Sequence, residues 1–92
     1  MTYEEIMELE YLPELEQKIA KLIRVHGDNH PELNLVGEDF RTIILPESGN
    51  SAKELAKARI LAVTHQLALP EDACKVYERV FELLGDLLGR IG

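Results

Sequence analysis

Histidines and carboxylates are the residues of this sequence best suited to form a functional site. The chain of 92 residues holds three histidines, 17 acidic residues and one cysteine. It contains no glycine-rich phosphate loop and no CxxC, HExxH or GxSxG motif, so the common catalytic and nucleotide-binding templates are missing. The sequence therefore favours a protein that is not an enzyme, and the question becomes whether these side chains hold a metal ion.

His26 is the first candidate ligand. It belongs to a set of residues spaced four, three and four apart, as on one face of a helix: Leu15, Ile19, Leu22 and His26. Helical bundles build metal sites from inward-facing histidines and carboxylates. In a continuous helix Glu8 shares the face of His26 and Glu5 lies about 60° around it, so a metal site of His26 with Glu5 or Glu8 is one interpretation. The favoured interpretation is that His26 lies at a helix end, bonded to a loop or to the last carbonyls.

The remaining candidates have plainer interpretations. Glu38 and Asp39 could add oxygen ligands from a second helix. His30 lies in a segment whose sequence predicts a turn, and there a capping role is favoured over metal binding. His65 lies near the end of another predicted helix, and we expect its role to be structural. Cys74 is the single cysteine, which excludes an internal disulfide, and we expect it to be a small buried apolar residue rather than a redox thiol.

The charge of the chain limits its partners. The formal net charge is -7, and most of the excess acid lies in residues 1–46. Such a surface repels phosphate backbones and anionic lipid, so we predict no binding to nucleic acid or membrane. No apolar run reaches the roughly 18 residues of a membrane span, and the first residues are acidic where a signal peptide is basic, so we expect a cytoplasmic protein.

The sequence predicts that these residues are positioned by four amphipathic helices within one domain, residues 1–92. The first ends near Gly27 and is either kinked at Pro13 or begins there. The second spans about 31–44. The third is opened by a capping box of Ser51 and Glu54 and runs to about 65. We expect it to bury Leu55, the alanines at 58 and 62, and one of Ile60 and Leu61. The fourth runs from about 70 to 91. Short connections favour an all-α, up-down four-helix bundle.

The last predicted helix has an apolar face wider than one stripe. Such width indicates either the most buried helix or a helix with a partner. We therefore predict a homodimer or a protein-partner interface on this face, formed by Tyr77, Phe81, Leu84, Leu88 and Ile91.

Two segments of the chain resemble a known family. The run VHGDNHPEL at residues 25–33, and Pro70–Cys74 followed by Tyr77 and an apolar run to Ile91, are similar to segments of the hemerythrin-like di-iron proteins of iron-sulfur-cluster repair. Leu12-Pro13 also stands at the expected distance before His26. The family is linked to nitrosative and oxidative stress. The resemblance implies a hemerythrin-like bundle that tolerates a proline in its first long helix, which favours the kink at Pro13.

The same resemblance implies that most of the family's ligands are missing. His26 matches a family iron ligand, the preceding ligand histidine falls on or beside Glu5, and a further one falls near Asn50. The family's histidine-and-glutamate motif has no counterpart at residues 44–47, and its final pair has none within residues 1–92. An intact di-iron centre in one chain is therefore not expected.

Two hypotheses follow. The first is a metal-free relative of the repair family, without cofactor, that acts as an interaction module and self-associates through its last helix. The second is a reduced metalloprotein, with a role in stress response or iron-sulfur repair, that binds iron or zinc through His26 with Glu5 or Glu8. Of the two, the first is favoured.

Overall fold

The computed structural model describes residues 1–91 and is all-helical over that range. Its helices are α1 (Tyr3–Met7), α2 (Leu12–His26), α3 (Glu32–Ile44), α4 (Asn50–Val63) and α5 (Lys75–Gly89). Helix α2 packs against both α3 and α5, α3 packs most extensively against α4, and α1 lies against α3. The predicted all-α class is confirmed. None of the described helices is long and apolar enough to cross a membrane.

The core is built on α5, whose apolar face is the widest of the five. Its buried side chains are Tyr77, Val80, Phe81, Leu83, Leu84, Leu87 and Leu88. The predicted apolar faces of α2 and α3 are confirmed, because each is a regular stripe of large aliphatic and aromatic residues that has one way to be buried. Their core residues are Leu15, Ile19 and Leu22 on α2, with Leu33, Val36, Phe40 and Ile43 on α3.

The prediction of a kink at Pro13 is wrong, because the chain forms two separate helices there. Thr2 and Glu5 make a capping box that opens α1, and α1 ends at Met7. Helix α2 starts at Leu12, with Pro13 in its first turn. A proline is tolerated at this point because the first amides of a helix have no intrahelical partner to lose.

The predictions for α4 are also wrong in two respects. The helix starts at Asn50 after an N-cap glycine, Gly49, and Ser51 makes no capping bond. Its buried positions are Lys53, Ala56 and Ile60, whereas Leu55 is 60% exposed. With few large apolar residues, α4 has no strong sequence preference for one face, so its packing against α3 decides which side is buried.

The predicted interface on the last helix lies in the core of the single chain. Tyr77 is 2%, Phe81 6%, Leu84 0%, Leu88 2% and Ile91 3% exposed. The width of this apolar face reflects burial by several neighbours within one chain, the other meaning that such width can have. These five side chains therefore offer no free surface to a second molecule in this fold.

A cluster of charged residues joins α2 to α5 at the surface. The Nε atom of Arg79 donates to Oε2 of Glu14 at 2.8 Å, and Nη1 of Arg79 donates to Oε1 of Glu82 at 2.6 Å. Lys18 also lies 3.2 Å from Glu14. The hydrogen bonds from Arg79 and, next, Lys18 lower the pKa of Glu14 from 4.5 to about 2. The ionised form of Glu14 is thus the one that holds the two helices together.

Truncation of a core leucine tests the packing. We expect Leu84→Ala to lower the free energy of unfolding by about 2–5 kcal/mol, because it leaves a cavity at a fully buried position. The matched control is Leu55→Ala on α4, which should change stability by no more than about 0.5 kcal/mol because that side chain is mostly exposed. Urea unfolding monitored by circular dichroism measures both. Equal losses would contradict the assigned face of α4.

The Glu14 ion pairs predict a specific pH dependence. Since folding lowers the pKa of Glu14 from 4.5 to about 2, its contribution to stability is present above pH 4.5 and is lost as the pH falls toward 2. Between about pH 5 and pH 3, the urea midpoint of the wild type should therefore fall more than that of Glu14→Gln. Glu16→Gln is the control, since Glu16 is exposed and forms no ion pair within residues 1–91. Parallel acid curves for wild type and Glu14→Gln would refute the assignment.

Candidate metal centre

The turn between α2 and α3 brings two histidines together. His26 is the last residue of α2, and its carbonyl accepts hydrogen bonds from the amides of Asn29 at 3.1 Å and His30 at 2.7 Å. This tight turn folds His30 back beside the helix end, so the two imidazole rings lie 6.2 Å apart between centroids. Both side chains are half-buried. The four-residue spacing of His26 and His30 is the local feature that makes this approach possible.

The turn before α5 supplies a carboxylate. Asp72 is exposed, and both of its carboxylate oxygens lie 2.9 Å from Nε2 of His30. On the other side of the ring, Nδ1 of His30 lies 3.2 Å from Oε1 of Glu32, in the first turn of α3. The hydrogen bond with Asp72 is the main cause that raises the pKa of His30 above 6.5, and it lowers the pKa of Asp72 below 3.8. When His30 is protonated, this contact is an ion pair between two turns.

Cys74 lies next to this cluster. Its Sγ is 3.4 Å from Nε2 of His26. The prediction that Cys74 is buried is wrong, because it is exposed at the N-cap of α5, which starts at Lys75 and not near Pro70. Residues 70–74, before α5, are not helical, and Asp72 and Cys74 are both exposed there.

The ring of Tyr77 packs against the rings of both histidines. Its ring centroid lies 5.3 Å from that of His26 and 5.7 Å from that of His30, in edge-to-face geometry. Phe81, one turn along α5, continues the stack at 5.0 Å. Burial is the main cause that raises the pKa of Tyr77 to about 12, and the charges of Glu32, Asp72 and Cys74 add to it. The Tyr77 hydroxyl is therefore near the same charged residues as the two histidines.

Three of these residues form a group with metal-ligand chemistry. One candidate ligand atom from each of His26, His30 and Asp72 lies within 4.8 Å of the other two. In a tetrahedral zinc site, ligand atoms lie roughly 3.3 Å apart, because Zn–N and Zn–O bonds are about 2.0–2.2 Å long. Small side-chain movements can therefore bring the three atoms onto one ion. Glu32 already occupies the position of the carboxylate that commonly accepts the second N–H of a ligating histidine.

The carboxylates predicted as partners of His26 are not part of this group. Glu5 is held in the capping box with Thr2, whose hydrogen bonds lower the pKa of Glu5. Glu8 is an exposed residue at the end of α1. Within residues 1–91, neither belongs to a cluster of three or more potential metal ligands. The five-turn spacing from Glu8 to His26 required a continuous helix, and the break between α1 and α2 removes it.

The other acidic and histidine candidates also lie elsewhere. Glu38 is exposed on α3. Asp39 is 5% exposed, and its Oδ2 lies 3.6 Å from Nε of Arg59. Burial is the main cause that raises the pKa of Asp39.

His65 is exposed and has a φ of 52°, in a left-handed turn after α4. The predicted capping role of His30 missed its contact with Asp72, although the two segments with family resemblance contain both residues.

The contact between His30 and Asp72 predicts a measurable titration. In protein kept metal-free with a chelator, the pKa of His30 should lie above 6.5, because the carboxylate stabilises the imidazolium. Asp72→Asn should lower this pKa. Glu71→Gln, which removes the neighbouring exposed acid, should leave it raised. Histidine ring signals followed by NMR against pH give the values, and an equal pKa in wild type and Asp72→Asn would contradict the geometry.

Comparison with known proteins adds no relative to this description. The chain matches no protein-family model, no curated protein and no solved structure.

Proposed function

We propose that this protein binds one divalent transition-metal ion, zinc or ferrous iron, through His26, His30 and Asp72. The main observation is that ligand atoms from these three residues lie within 4.8 Å of one another, although His26 ends α2, His30 lies in the turn after it, and Asp72 lies in the turn before α5. Two imidazoles and one carboxylate are a ligand set that proteins use both for zinc and for non-haem iron. Binding displaces the proton that His30 shares with Asp72.

Several features around the three residues support this proposal. Glu32 holds the second nitrogen of the His30 ring, which fixes the orientation of Nε2 toward Asp72. The Tyr77 ring limits the movement of both imidazoles. The exposed Asp72 side chain leaves a path for an ion from solvent. The net charge of -7 favours a cation over an anion as the first ligand.

The family resemblance supports iron as one of the two ions. His26 is the residue that matches a family iron ligand, and both resembling segments, residues 25–33 and 70–74, meet at this site. We extend the proposal to a hemerythrin-like arrangement of the four longer helices, with His30 and Asp72 taking the place of ligands that the family has elsewhere. A role in the stress response or in iron-sulfur repair would follow from this relationship.

The competing hypothesis is a metal-free module that self-associates through its last helix. Its five predicted interface residues are at most 6% exposed in the single chain. Size-exclusion chromatography with light scattering measures self-association independently of metal. A dimer that persists in a chelator, in protein that binds no metal, would favour the module over the metal site.

Metal titration tests the proposed site directly. We expect one zinc ion per chain by calorimetry, and a rise in melting temperature with zinc concentration because the ion binds the folded state. His26→Ala, His30→Ala and Asp72→Asn should each weaken zinc binding at least about tenfold. Anaerobic titration with ferrous iron compares the second ion.

Two control variants make this test specific. His65→Asn removes an exposed imidazole outside the group while an asparagine tolerates the left-handed backbone at that position. Glu71→Gln removes the acid next to Asp72. Both should bind zinc like the wild type. Zinc binding that is absent, or that is as strong in His30→Ala as in the wild type, would overturn the proposal.

A further inference from the structure

Cys74 lies at the edge of the proposed metal centre. Its Sγ is 3.4 Å from Nε2 of His26. When a cysteine and a histidine bind one zinc ion in tetrahedral geometry, the sulfur and the nitrogen lie roughly 3.5 Å apart, because the Zn–S and Zn–N bonds are about 2.3 and 2.0–2.1 Å long. The two atoms are therefore already separated by the distance that a shared zinc ion requires.

The contact between His26 and Cys74 accompanies the contact between His30 and Asp72. Both contacts join the end of α2 and the turn after it to the segment before α5. In each of them Nε2 of an imidazole faces a side chain that binds metal ions as an anion, a thiol in one and a carboxylate in the other. Structural zinc sites commonly take ligands in such closely spaced pairs, including two histidines with three residues between them.

The sulfur has to move to reach the other ligands. His26, His30 and Asp72 have ligand atoms within 4.8 Å of one another, and Cys74 is not a member of that group. Its side chain is exposed and turns about a single torsion, so a change of rotamer moves Sγ without displacing buried side chains. A cavity of about 250 Å³ borders both His26 and Cys74 and leaves room for that movement.

A thiolate ligand changes the charge and the selectivity of the centre. A divalent ion with one carboxylate and two neutral imidazoles keeps a positive charge, and an added thiolate neutralises it. A neutral centre suits a position against the ring of Tyr77, which is 2% exposed, because uncompensated charge is costly beside an apolar core. Two imidazoles and a carboxylate serve ferrous iron as well as zinc, whereas a soft thiolate in a tetrahedral set favours zinc.

We propose that Cys74 is the fourth ligand of this centre and makes it a closed, four-coordinate zinc site. The inference rests on the proposed metal binding by His26, His30 and Asp72, and it deepens that proposal by selecting zinc over iron. Zinc displaces the thiol proton of Cys74, which passes to solvent. The ion joins the end of α2 to the start of α5, and four protein ligands leave it no open position, as in structural zinc sites.

Cobalt(II) is the probe for the sulfur ligand, because it occupies zinc sites and absorbs visible light. We expect one cobalt ion per chain to give the intense visible absorption of tetrahedral coordination, together with a near-ultraviolet band of sulfur-to-cobalt charge transfer. Zinc should displace the cobalt and remove both. Cys74→Ser should lose the charge-transfer band, weaken zinc binding at least about tenfold by calorimetry, and reduce the preference for zinc over ferrous iron.

Lys75→Gln is the matched control, because Lys75 is exposed and directly follows Cys74. It should keep the charge-transfer band and the zinc affinity of the wild type. Alkylation gives an independent measure of the same contact. The exposed thiol of the metal-free protein should react readily, and one equivalent of zinc should protect it.

The outcomes separate this inference from the metal site itself. A cobalt spectrum without the charge-transfer band, a thiol that zinc does not protect, or Cys74→Ser with the zinc affinity and metal preference of the wild type would overturn the role of Cys74 while the three-ligand site stands. Absence of both zinc and cobalt binding would overturn both proposals.

Discussion

The burial of α5 is the constraint on which the rest of the structure depends. A chain of 92 residues can build one core, and the apolar face of α5 supplies seven of the buried side chains. Helix α2 must cover this face, and the charged cluster around Arg79 fixes the two helices at their surface. Because the N-terminal end of α5 then lies beside the C-terminal end of α2, the turns at these ends are forced together.

Tyr77 connects the buried face of α5 to the candidate metal centre. It belongs to the core through Phe81 and to the centre through the rings of His26 and His30. A residue that is 2% exposed has its position set by packing on all sides. The histidines therefore rest on a rigid surface, although each is at or next to a turn. A site on two turns gains its precision from the core beneath it.

The sequence predicted the parts of the fold in which the apolar pattern is strong. The faces of α2 and α3 follow from regular stripes of large residues, and no competing face could bury as much. Helix α4 lacks such a stripe, and its buried Lys53 and Ala56 have no sequence signal. The wide face of α5 was recognised but ascribed to a partner, because pattern alone does not distinguish burial within a chain from burial between chains.

The candidate site was predictable only in part, for a related reason. His26 stood out because it continues a local stripe. His30 lies four residues after His26, and a turn between them can bring the two side chains together. The helical periodicity of the sequence does not predict that approach. The contact between His30 and Asp72 spans 42 residues, and it depends on where α5 starts. Glu5 and Glu8 were chosen on the assumption of a helix that the chain interrupts, so an error of one helix boundary moved two predicted ligands away from the site.

The contact between His30 and Asp72 joins the two turns that carry the proposed site. When Nε2 of His30 carries a proton, it donates a hydrogen bond to the Asp72 carboxylate, and this contact holds the α2–α3 turn against the turn before α5. Under the proposal, a metal ion would replace that proton and would be held by the same two side chains, so the two turns would stay together. The apolar core packs the helices beneath these turns, so the proposed ion would join turns that the core already positions, unlike in small domains that are unfolded without their metal.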